Sequence, residues 1–241
     1  MFEIRIQVNI AKITVVLTRI VLFLIAMGTI VVLFQVFTSY RTMMGFIPLF
    51  DMDEERTITA YFSSINLLFS AALLGLIFSI KQDLNDVYRW QWAGLCLGFI
   101  YLSMDEIISL HELATGLIKD HLHVALAAPH YMTAILGLTA LFFLLIFYGR
   151  FLLNLSAPHK ARFILAGTIF VTGAFIIESL GGYIVLHHNQ WINGLAYHIA
   201  VIVEESLELI GVLLFVRALL MYIRDLGHVS TMTEIIPRAN A

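Results

Sequence analysis

Six separate runs of mostly apolar residues, near 15–39, 58–80, 92–117, 131–149, 162–186 and 195–221, govern what this chain can become. A helix rises about 1.5 Å per residue, so about 20 residues cross a hydrocarbon core roughly 30 Å thick. An open strand in that medium leaves backbone polar groups unpaired at several kcal/mol each, so the runs are predicted to be helices. The composition agrees: 60% of the 241 residues are hydrophobic and 13% are charged, against roughly 25% charged in a soluble domain. The sequence therefore predicts an all-α, polytopic integral membrane protein. Residues 1–225 are expected to form a single six-helix transmembrane domain, and residues 226–241 a short flexible cytoplasmic tail. The stretch from Val21 to Phe37 is too long for a secretory signal and lacks a small-residue cleavage site before Thr38, so it is expected to be retained.

Short basic loops stay on the cytoplasmic side of a membrane. One side of the predicted bundle collects Arg5, Lys12, Arg19, Lys81, Arg89, Arg150, Lys160, Arg162, Arg217, Arg224 and Arg238, and the other only Arg41, Arg56 and Lys119. That imbalance places both termini in the cytoplasm and the protein in the inner (plasma) membrane. Trp90, Trp92, Trp191 and Tyr197 stand at predicted helix edges, where an aromatic belt is expected. On the outer side, Gly45 to Arg56 reads as a solvated acidic loop with Asp51, Asp53, Glu54 and Glu55. Leu117 to His130 reads as an amphipathic segment along the membrane surface. A net charge of -3 with no basic surface excludes nucleic acid. The lone Cys96 cannot form an internal disulfide or a multi-thiolate metal site, so any metal is held by oxygen and nitrogen.

A charge at the centre of a membrane helix costs on the order of 2.5 to 3.5 kcal/mol, so each one needs a reason. Seven carboxylates fall in the predicted spans: Asp105, Glu106 and Glu112 on the third, Glu178 on the fifth, and Glu204, Glu205 and Glu208 on the sixth. His111 and His198 lie among them. On unbroken helices, residues seven apart lie within roughly 20° of each other. Asp105 then shares a face with Glu112, and His198 with Glu205, with Glu204 and Glu208 widening the second stripe. Around Glu178, Gly167, Val171, Ala174, Gly181 and Gly182 form a small-residue groove that lets neighbouring helices approach closely. The acidic positions fall at one depth, toward the outer ends. The inner halves, Trp92 to Ser103, Ile164 to Ile177 and Leu209 to Leu214, carry almost no group that passes an ion.

No Lys or Arg neighbours these acids in the sequence, which leaves protons or a bound cation to balance them. Carboxylates with imidazoles in a helix bundle suit a two-metal site of iron or manganese, and zinc also accepts this ligand set. The predicted ligands are Asp105, Glu112, Glu178, His198, Glu205 and Glu208. His111, Glu106 and Glu204 are the predicted groups for orienting ligands or moving protons. None of the seven acids is followed by a histidine three residues later, so the ferritin-like arrangement does not map onto this chain. The closely spaced histidine pairs of membrane desaturases are missing as well, with only His187-His188 adjacent. Tyr101 and Tyr183 stand where they can reach the acids, and Ser63, Ser64, Asn66 and Ser70 suit interhelical hydrogen bonds. The function expected is a metal-dependent membrane enzyme that oxidises or hydrolyses a lipid-soluble substrate. A cation- or proton-coupled transporter using the same acids, and a structural subunit of a membrane complex, are the alternatives.

Overall fold

The computed structural model describes residues 9–38, 45–54, 56–110, 113, 129–187 and 194–235, and the side chains of these except 129–136, 185–187 and 228–235. All regular structure among them is helical: α1 (Ile10–Phe37), α2 (Phe46–Phe50), α3 (Ile58–Asp83), α4 (Arg89–Ile108), α5 (Pro129–Asn154), α6 (Ala157–Val171), a π-helical segment (Thr172–Ile177), α7 (Glu178–His187) and α8 (Leu195–Ile235). Four helices are long and apolar enough to cross a membrane: Ile10–Phe37, Ile58–Asp83, Gly137–Asn154 and Ala157–Ile184. The acid-bearing α4 and α8 stand outside that set.

The distribution of polarity is that of a membrane protein. On α5, the successive residues Phe142, Phe143, Leu144, Leu145, Ile146 and Phe147 are all exposed, a surface that water does not tolerate. Ser63, Ser64, Asn66, Ser70, Ser103 and Ser109 are buried instead. Ser64 Oγ donates to the Ser103 carbonyl at 2.8 Å and Ser103 Oγ donates to the Ser64 carbonyl at 2.9 Å, clamping α3 to α4. Asn66 and Ser70 bond carbonyls of their own helix. Only the Ser64 hydroxyl of the predicted polar side thus makes the expected bond between helices among these bonds.

α8 is the hub, packed against α1, α3, α6, the π-helical segment and α7. Trp92 anchors one end of the bundle, 2% exposed, with the rings of Phe151 and Tyr222 each centred 4.9 Å away. It is therefore core and not part of an aromatic belt, whereas Trp90 is 65% exposed. Polar contacts gather at this end: Lys81 pairs with Asp86 at 2.8 Å, and buried His159 Nε2 lies 3.2 Å from Asp225. α8 also continues to Ile235, past the point near 225 where the sequence loses its apolar pattern and suggests a flexible tail. Trp191 and the segment 117–128 fall outside the described residues.

Close approach of α6 and the π-helical segment to α8 depends on two glycines. A Cβ on Gly173 would sit 2.8 Å from the Glu204 carbonyl oxygen, and one on Gly211 would sit 2.8 Å from the Phe170 backbone. Neither belongs to the small-residue face predicted around Glu178. Of that face, Gly167 meets nothing within 4 Å. The reason is the π-helical segment, whose wider turn shifts the register between Gly167 and Glu178 so that a uniform 100° per residue no longer applies.

Two predictions follow from this packing. Gly173→Ala is expected to lower stability in detergent by about 1 to 3 kcal/mol, because backbone rather than a flexible side chain opposes the new methyl. An equilibrium unfolding titration checks it. The second concerns Asp86, outside the helices. Burial pushes its carboxyl up, but hydrogen bonds from Lys81 Nζ and the Tyr88 amide, each at 2.8 Å, outweigh this and hold it below the ordinary carboxylate value. A depressed native value adds stability that is complete above the unfolded value near about 4 and lost as pH falls through the native one. Thermal melts across that range should show an acid-side decline that is smaller in Asp86→Asn.

Candidate functional site

The acids of three helices meet in one place. A cavity of about 580 Å³ is lined by Asp105 and Glu106 of α4, Glu178 at the start of α7, and Glu204, Glu205 and Glu208 of α8. Asp53 and Glu54, from the segment joining α2 to α3, complete a lining of eight carboxylates that contains no Lys, Arg or His among the described residues. Tyr101, Tyr197 and Ser109 also face it. All six acids predicted from the sequence and present among the described residues therefore reach this cavity. His111 and Glu112 lie outside those residues. His121, His123 and His188 do so too, and the side chains of His130 and His187 are not described.

His198 does not line the cavity, although the seven-residue spacing on unbroken α8 keeps it within about 20° of Glu205, which does. Tyr197, Val201, Glu204 and Glu208 span roughly 60° of the circumference of α8, and His198 lies about 90° from the centre of that face. Glu205 is at the edge but long enough to reach in. Buried His198 Nδ1 makes no hydrogen bond, and its ring lies 5.7 Å from that of Tyr197. The sequence contained the signal for Tyr197, since it precedes Val201, Glu204 and Glu208 at spacings of four, seven and eleven. Tyr183 is 47% exposed and does not line the cavity.

The predicted third span does not run unbroken to residue 117. α4 ends at Ile108, and Ser109 takes a left-handed conformation with φ 51° and ψ 51°. That conformation costs an L-residue roughly 1–2 kcal/mol. The Ser109 amide still bonds the Asp105 carbonyl at 2.7 Å, and the Leu113 amide bonds the Ser109 carbonyl at 3.2 Å. A uniform 100° per residue does not carry past Ser109, and Glu112 itself lies outside the described residues. Gly181-Gly182, by contrast, lies inside unbroken α7, with both glycines at the cavity wall.

The acidic loop is more structured than a solvated one. Asp51 is buried and accepts a hydrogen bond from Gln35 Nε2, and Met52 packs where Gly28 leaves room. Tyr197 donates its hydroxyl to Asp53 Oδ1 at 2.7 Å, tying this segment to α8 at the cavity wall. Of the described acids in this segment, Asp53 and Glu54 keep the exposure expected of the loop.

Among the described residues, no three His, Cys, Asp or Glu side chains are arranged to hold a metal ion as placed. The acids share a cavity without forming a coordination sphere. Chemically, the arrangement offers several oxygen acceptors, a phenol at Tyr101 and another at Tyr197, inside apolar walls supplied by Leu67, Leu102, Phe170 and Phe175.

Fold and cavity together define a helical membrane protein with an acid-lined chamber inside its bundle. The chain belongs to the family described as Domain of unknown function (DUF8692), which it matches over residues 16–223, a span containing every acid of the chamber. No curated protein and no solved structure matches the chain.

The latch at the chamber wall is testable. Tyr197→Phe removes one hydrogen bond, worth about 1 kcal/mol, and should speed backbone hydrogen exchange in residues 45–54 while leaving α3 unchanged. Equal acceleration in both would contradict the latch.

Proposed function

We propose that the acid-lined chamber is the reaction site of a membrane enzyme that holds a divalent cation among its carboxylates and acts on a lipid-soluble substrate. The observation that carries this reading is the meeting of Asp105, Glu106, Glu178, Glu204, Glu205 and Glu208, from three helices, in one chamber. Intramembrane acids are costly and mark functional paths when they face a bundle interior. In this reading Asp105, Glu178, Glu205 and Glu208 are the ligands, and side-chain rotation on binding closes the set. Glu106 and Glu204 orient those ligands and carry protons. His198 is left out, because it does not line the chamber. Bound iron or manganese supplies oxidation, and bound zinc supplies a water acidic enough for hydrolysis. Two ions fit the number of carboxylates.

The topology that goes with this function has six crossings, by α1, α3, α4, α5, α6 with α7, and α8. Both termini are cytoplasmic, in the inner (plasma) membrane. The eleven-to-three excess of Lys and Arg on one predicted side supports it.

A second reading, a cation- or proton-coupled transporter, draws on a different observation. α4 breaks at Ser109, and a π-helical segment directly precedes Glu178, so two irregular stretches of backbone adjoin the chamber. Interrupted helices beside an ion site are a feature of transporters.

Glu178→Gln and Glu205→Gln separate the readings. Each is expected to weaken Mn²⁺ binding, followed by titration in detergent, by about tenfold or more. Unchanged binding in both variants overturns the ligand set. Cation flux into liposomes that is present in the native protein and lost in the same variants favours transport.

A further inference from the structure

A second cavity of about 660 Å³ adjoins the acid chamber, and no charged residue lines it. Leu67, Leu102, Gly137, Ala140, Phe170 and Phe175 line both, so the two spaces share one boundary. The Phe175 ring rests directly on Gly137 there, leaving no room for a side chain at that position. From that boundary the apolar cavity follows α4 back to Trp92, ten residues or roughly 15 Å. It occupies the inner halves of the helices, where the sequence is almost free of polar groups. The space is open: a Cβ on Gly149 or Gly167, both in its lining, meets nothing within 4 Å. Leu144 and Leu145 line the cavity and are also exposed on the outside of α5, which gives a side entrance from the surrounding apolar phase.

We infer that the two cavities form one binding site for a single-chain amphiphile, its apolar tail in the charge-free cavity and its head among the acids. The size of the apolar part falls in the roughly 300–1,000 Å³ range of small-molecule sites. The lining sets the chemistry of each end. A tail of long alkyl or isoprenoid type gains by leaving water, and the absence of charge along this cavity excludes a polar chain. The head is neutral or cationic, because eight carboxylates repel an anion. This deepens the proposed function, on which the role of the head group rests, by naming the substrate class. Binding of the tail stands independently of any metal.

The test uses the full chain in phosphatidylcholine vesicles with a hexadecanol probe that carries a diazirine in mid-tail. Photolabelling is expected to concentrate around Phe99 on α4, Leu141 on α5 and Phe215 on α8, and to fall when unlabelled hexadecanol competes. Palmitate at equal concentration should compete less well. Gly167→Trp fills the apolar cavity and should cut labelling about tenfold, since lost burial of two methylenes has that effect. Leu165→Trp, on the exposed side of the same helix, should not. If Gly167→Trp is not recovered folded, Gly149→Trp makes the same test from α5. Labelling spread over exposed residues such as Phe23 and Phe147, without competition and unchanged by the filled cavity, overturns the inference. Metal measured on the same samples keeps the two claims apart. Specific labelling without metal supports the tail site and removes the metal reading, and metal without specific labelling overturns the tail site alone.

Discussion

A carboxylate inside a hydrocarbon layer has no solvent, and this one constraint organises the rest of the molecule. The acids of α4, α7 and α8 turn toward a common interior, and apolar helices close around them. Closure requires α6 and the π-helical segment to lie almost in backbone contact with α8, which the bare Cα positions of Gly173 and Gly211 allow. The Ser64 and Ser103 clamp fixes α4 against α3 about half a turn before Asp105. Removing any of these contacts separates walls that must stay together for the acids to share one space.

The bundle is divided along its length into two kinds of interior. Around Trp92, rings from α4, α5, α6 and α8 pack together, and Lys81, His159, Asp86 and Asp225 pair at the adjoining end. Toward the other end, the described residues lining the chamber carry charge of one sign, and the segment 45–54 folds in beside it, held by Gln35 and Tyr197. Between them lies a charge-free space. Such a gradient from apolar to acidic within one protein suits a ligand that is itself apolar at one end and polar at the other.

Much of this is legible in the sequence because hydrophobic runs report directly on lipid contact. Four of the apolar runs correspond to helices long and apolar enough to cross a membrane, and Asp105, Glu106, Glu178, Glu204, Glu205 and Glu208 stand out as charges within apolar surroundings. What escapes a reading of periodicity is any departure from 100° per residue. The left-handed Ser109 carries no sequence mark, since serine rarely adopts that conformation. The π-helical segment likewise re-phases Glu178 against Gly167: Ala174, Gly181 and Gly182 line the chamber with Glu178, whereas Gly167 and Val171 line the neighbouring cavity. Spacing groups His198 with Glu205, whereas the chamber face is centred on Tyr197, Glu204 and Glu208, with Glu205 at its edge. The acidic loop looks solvated because four acids lie close together, and only tertiary contact reveals that Asp51 is buried.

The most direct test of the central claim is elemental analysis of the untagged protein purified in detergent after growth with iron, manganese and zinc available. A chamber that holds cations among its carboxylates predicts a stoichiometric metal, about two ions per chain, recovered on repletion if purification strips it. No stoichiometric metal, before or after adding each ion back, contradicts the account and leaves the acids balanced by protons.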